Sequence, residues 1–110
     1  ERALYYETLP YTNKMYSCRF YRSFLQLASE VQCKDYLKNV SPKPPVLLMS
    51  GTQDMVGDKG AYAKEKAGLL IENGFDVRLE IFDGMRHSIL QEVQREKVYR
   101  LIYEFIRENI

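Results

Sequence analysis

The stretch Ser41-Pro42-Lys43-Pro44-Pro45-Val46-Leu47-Leu48-Met49 constrains the fold more than any other. Proline locks its own φ and biases its predecessor toward extended backbone, so the run stops any helix before it and starts the chain off extended. The four residues that follow are apolar without alternation, as expected of a strand covered on both faces in a parallel sheet. A strand of that kind reaches a parallel neighbour only through a crossover, ordinarily a helix. The next residues supply one. Ser50-Gly51-Thr52-Gln53-Asp54 closes the strand as a polar loop, and Asp58 is placed to cap a helix. Ala61, Ala67, Leu70 and Ile71 share a helical face, and Asn73-Gly74 supplies the stop. Val77 to Phe82 then reads as a second strand. Strand, helix and strand within about forty residues make a βαβ unit with parallel strands and a right-handed crossover.

Both flanks are helical in pattern. Tyr16, Phe20, Phe24, Leu27, Ala28 and Val31 recur at spacings of three and four between Asn13 and about Leu37. They mark one face of an amphipathic helix, and an aromatic stripe of this kind is expected in a core. Residues 1–12, with Tyr5, Tyr6 and Tyr11, carry no period and read as an irregular arm. Val98, Leu101, Ile102, Phe105 and Ile106 give a last amphipathic helix running to about Asn109. Arg95, Lys97 and Arg100 with Glu92 and Glu96 read as its solvated, mixed-charge face. The predicted class is α/β: an arm and connecting helix over residues 1–43, then a parallel βαβ unit with a closing helix over residues 44–110.

At 110 residues the chain is one domain at most. Sixteen basic against fifteen acidic residues leave a net charge of +1, too weak a field to indicate nucleic acid or an anionic membrane. The sequence opens on Glu1-Arg2, without a signal-peptide core or a run long enough to span a bilayer. A piece of a longer, cytoplasmic protein is expected. Cys18 and Cys33, if carried on one unbroken helix, would stand roughly 22 Å apart. That exceeds disulfide reach. With one histidine and no C-x-x-C pair, zinc lacks its usual ligand pattern, and both cysteines are expected to be buried or half-buried free thiols.

In open parallel sheets, functional groups gather where the loops leave the carboxyl ends of the strands. Asp54 lies in the loop leaving the first strand and His87 in the loop leaving the second, so adjacent strands set them side by side. A carboxylate at imidazole Nδ1 fixes the tautomer, orients the ring and stabilises the imidazolium, as a general base requires. Asp83 is a rival acid, although Asp83-Gly84 reads as a turn and shares a loop with His87. Plainer roles exist as well: a polar loop histidine, and an aspartate bracing its own turn. Gly51, Gly57 and Gly60 fit neither common phosphate-binding pattern, so no nucleotide is expected.

The runs Pro44 to Val56 (PPVLLMSGTQDMV) and Leu79 to Glu92 (LEIFDGMRHSILQE) resemble the C-terminal part of α/β-hydrolases, specifically the monoacylglycerol lipase and lysophospholipase group. In that group a strand of type P-v-l-l-l ends in G-x-x-D-x-V with the catalytic acid. A later strand ends in y-x-G-x-x-H-x-l-x-x-E with the catalytic histidine. The resemblance spans Pro44 to Ile110 and, more loosely, the helix before it, as the element joining a cap or lid to the core sheet. It implies a C-terminal fragment of a serine ester hydrolase in which Asp54 is the triad acid and His87 the general base. Small carboxylic esters, monoacylglycerols or lysophospholipids are the implied substrates, with no metal or organic cofactor. Such an enzyme also needs a serine on a G-x-S-x-G elbow upstream of the acid. Ser17, Ser23, Ser29, Ser41, Ser50 and Ser88 all lack the flanking glycines. The chain by itself is therefore expected to be inactive, and to self-associate through a strand edge that the rest of a hydrolase would cover. The alternative is a non-enzymatic α/β interaction or oligomerisation module with Asp54 and His87 as ordinary loop residues.

Overall fold

The computed structural model describes residues 15–31 and 34–110, together with residues 8 and 10. The tyrosine-rich arm, apart from those two residues, and Cys33 lie outside the described residues. The chain divides into two compact units, Glu1–Cys33 and Lys34–Ile110.

In the first unit, helix α1 runs from Cys18–Val31, shorter at both ends than the apolar period predicts. Its start is set by Ser17, whose hydroxyl accepts from the Phe20 N–H at 3.2 Å and whose carbonyl accepts from the Tyr21 N–H at 3.2 Å. That is N-cap geometry, and it overrides the period, which continues through Tyr16. No residue of α1 is buried. The expected core stripe is open: Phe20 is 46% exposed and Phe24 57%. These rings pack on each other along the helix, Phe20 stacking on Tyr16 at 4.5 Å and on Phe24 at 6.3 Å between centroids. Cys18 is exposed, contrary to expectation, because no face of α1 is enclosed.

The second unit is a small α/β fold. It contains β1 (Val46–Gly51), α2 (Ala61–Glu72), β2 (Val77–Phe82) and α3 (Arg95–Glu108). Short 3-10 turns occupy Lys34–Asn39, Asp58–Gly60 and Ile89–Gln91. β1 and β2 pair in parallel, from Val46 opposite Val77 to Gly51 opposite Phe82. α2 makes the crossover, as the strand-helix-strand order requires. Leu37, Ala67, Phe75, Met85, Val98 and Leu101 form the core.

Several local expectations are corrected here. Val46 to Met49 are half-buried rather than enclosed on both faces. Among the described residues the sheet has two strands, so one edge of each has no strand partner. Asp58 does not cap α2. It has a left-handed φ of 47°, and the helix begins at Ala61 after Gly60. The turn is wound instead around Asp54, whose carbonyl accepts from the Lys59 N–H at 2.6 Å. The buried side of α2 passes through Ala63, Ala67 and Leu70, leaving Ala61 and Ile71 outside. Asn73-Gly74 does end the helix: the Gly74 N–H donates to Ile71 O at 2.8 Å and the Phe75 N–H to Leu70 O at 3.1 Å. Lys43 donates to the Asn73 carbonyl and lies over the Phe75 ring, placing a cation at the carbonyl end of α2. No helix among the described residues is long and apolar enough to cross a membrane.

Candidate functional site

β1 and β2 end level with each other, at Gly51 opposite Phe82, so their outgoing loops start as neighbours. They are then drawn together. The Thr52 N–H donates to Phe82 O at 3.0 Å and the Gln53 N–H to Met85 O at 2.9 Å. Gly51 permits the approach, since a Cβ there would stand 2.0 Å from the Met85 carbonyl oxygen. Met85 is itself 3% exposed, which anchors the histidine loop in the core two residues before His87.

Asp54 is buried at 6% exposure. Its Oδ1 accepts from the Val56 N–H and the Gly57 N–H, both at 3.0 Å, so the carboxylate ties its own turn. His87 Nδ1 lies 3.0 Å from Oδ1 and 3.2 Å from Oδ2. With an ionised carboxylate opposite, Nδ1 is the nitrogen that carries the proton and donates. Ser50 Oγ stands 3.5 Å from Oδ2, at the outer limit of bonding range. The Gly57 N–H holds the Asp54 pKa below its ordinary value; burial opposes this, and His87 and Val56 add to the lowering. The brace role and the partner role, separate readings of the sequence, are thus met by one side chain.

The His87 side chain is 64% exposed. Nδ1 faces Asp54, and Nε2 makes no hydrogen bond among the described residues. Asp83 does not reach the ring. It accepts from Thr52 Oγ1 at 3.1 Å, beside the turn at Gly84. Gly84 has φ 72°, a left-handed angle that a side chain would strain.

Three supporting groups were not apparent from the pattern. Glu92, read as part of a solvated face, has a side chain only 13% exposed. Its Oε1 accepts from the Arg86 N–H at 3.1 Å and from Arg86 Nε at 2.9 Å, bracing the residue before His87. The same contact raises the Arg86 pKa further. Thr52 Oγ1 accepts from the Gly84 N–H at 2.8 Å. Tyr99 OH donates to Leu90 O at 2.8 Å, fastening the end of the histidine loop to α3. The i to i+5 spacing of His87 and Glu92 was visible in the sequence, but nothing in it marked Glu92 as enclosed.

A cavity of about 540 Å³ beside β2 and α3 is bounded by Glu80, Phe82, Arg100 and Leu101, among others, and contains neither Asp54 nor His87. Among the described residues no cluster of three or more histidine, cysteine or acidic side chains is arranged to hold a metal ion. No family model, curated protein or solved structure matches the chain.

Proposed function

We propose that this chain supplies the acid and the general base of a serine ester hydrolase, as the C-terminal part of an α/β-hydrolase acting on monoacylglycerols, lysophospholipids or similar small esters in the cytoplasm. The observation that carries the reading is the 3.0 Å contact between His87 Nδ1 and buried Asp54, made across the carboxyl ends of two parallel strands. The contact leaves Nε2 directed away from the acid, with its lone pair available.

In the proposed reaction a serine Oγ from polypeptide beyond these residues attacks the ester carbonyl carbon, and its proton passes to Nε2. The imidazolium then gives that proton to the departing alkoxide as the acyl–serine ester forms. Water repeats the sequence: its proton goes to Nε2, its oxygen joins the acyl carbon, and the serine oxygen leaves with the proton. Asp54 stays ionised throughout and stabilises each imidazolium, a role suited to a carboxylate whose pKa is already held low. Met55 and Val56, next after Asp54 in the chain, and Leu90, three residues after His87, are exposed and support the reading, since they are apolar surface that further polypeptide or an acyl chain would cover.

The test is hydrolysis of a short-chain nitrophenyl ester by the intact polypeptide that carries a G-x-S-x-G elbow ahead of residue 1. His87→Ala should lower kcat by roughly 10⁴-fold or more. Retained activity rejects the assignment, and so does a full coding sequence without such an elbow. The interaction-module reading draws its support from the unpaired edge of the two-stranded sheet. On either reading the 110-residue chain self-associates by pairing that edge, and sedimentation as a monomer at micromolar concentration contradicts this.

A further inference from the structure

Apart from the Asp54–His87 contact itself, the two loops that carry these residues are joined by backbone hydrogen bonds and by the side chain of Thr52. Thr52 sits two residues before Asp54. Its hydroxyl accepts from the Gly84 N–H at 2.8 Å and donates to Asp83 Oδ1 at 3.1 Å. Both partners lie on the other loop, more than thirty positions away in sequence. A hydroxyl can do both at once because it has a donor and two lone pairs, and no apolar side chain of the same shape can do either. The contact fixes the turn from which Met85, Arg86 and His87 leave the strand.

We infer that Thr52 is the positioning residue that couples the acid loop to the histidine loop and so holds the imidazole on the carboxylate. The catalytic meaning of the coupling rests on the hydrolase reading, whereas the coupling itself does not. Thr52 touches no reacting atom. It acts through Gly84 and Asp83 on the path of the chain to His87, complementing the Glu92 brace on Arg86.

The test uses the whole 110-residue chain without a histidine tag. His87 is the only histidine, so the imidazole nitrogen signals in a ¹⁵N spectrum belong to it alone. Their shifts in the neutral ring report the ratio of the Nδ1–H to the Nε2–H tautomer. In the unmodified chain Nδ1–H should predominate, because Asp54 accepts from that nitrogen. Thr52→Val keeps the β-branched shape and removes the hydroxyl, and should lower the ratio roughly fivefold, the effect of one ordinary hydrogen bond. Thr52→Ser should restore it. A ratio unchanged in Thr52→Val overturns the inference while leaving the pair, and the hydrolase reading, intact. Predominance of Nε2–H in the unmodified chain overturns both, because the pair would then not be held in solution. Should Thr52→Val fail to fold, Asp83→Ala removes only the exposed acceptor of the same hydroxyl; it should produce a smaller drop, and no drop overturns the inference.

Discussion

Helices α1 and α3 are both fourteen residues long and both carry an apolar stripe at helical spacing. α3 buries Val98 completely and Leu101 nearly so, whereas α1 buries nothing. The difference does not lie in the stripes; that of α1 carries two phenylalanines. It lies in what each stripe is packed against. α3 belongs to a unit with a sheet, a second helix and an anchored loop, and Tyr99 ties it to the segment that follows His87. In α1 the rings pack along the helix itself, Phe20 on Tyr16 and on Phe24, and remain exposed. An amphipathic pattern therefore states that a helix has two faces without stating that one of them is covered.

The sharpest way to break this comparison is to make the same substitution on both helices. Leu101→Ala should destabilise the second unit by about 2–4 kcal/mol, since it empties a buried site. A urea titration of the whole chain measures the loss, and a cost below about 1 kcal/mol would show that α3 is not held as its burial indicates. Next in size is an acid effect confined to the second unit. The folded-state pKa of Asp54 lies below the ordinary 3.8, so its contribution to stability is complete above that value and lost as pH falls through the lower folded value. Denaturation followed between pH 6 and pH 2 should show this limb, and Asp54→Asn should remove it. An unchanged limb in the variant would assign it to other carboxylates. Smallest is Leu27→Ala on α1, at 58% exposure, which should change stability by less than about 0.5 kcal/mol. A cost close to that of Leu101→Ala would mean that the apolar side of α1 is covered in solution.

Much of the second unit could be read in the residues. The unbroken run Val46 to Met49, the helical spacing after it and the Asn73-Gly74 stop predict β1, α2 and β2 in order, and parallel pairing then puts the Asp54 and His87 loops together. The supporting contacts could not be read. Thr52 reaches Gly84 and Asp83 across more than thirty residues, and its choice of partner depends on how each loop bends. Asp58 looks like a helix cap because nearby signals favour it, yet the Asp54 turn claims the backbone there and delays the helix to Ala61. Glu92 looks like one more charge on a charged helix until its carboxylate is found turned inward to Arg86.

The sequence by itself determined the α/β class, the parallel crossover and the loops that carry an acid and an imidazole. Those follow from periodicity and chain connectivity, which are local and repetitive. Only the tertiary structure decided that Asp54 rather than Asp83 receives the ring, that Thr52 and Glu92 hold the loop in place, and that the aromatic side of α1 lies open. Each of these turns on distances between groups remote in sequence, and a hydrogen bond or a buried contact exists only once the chain has set that distance.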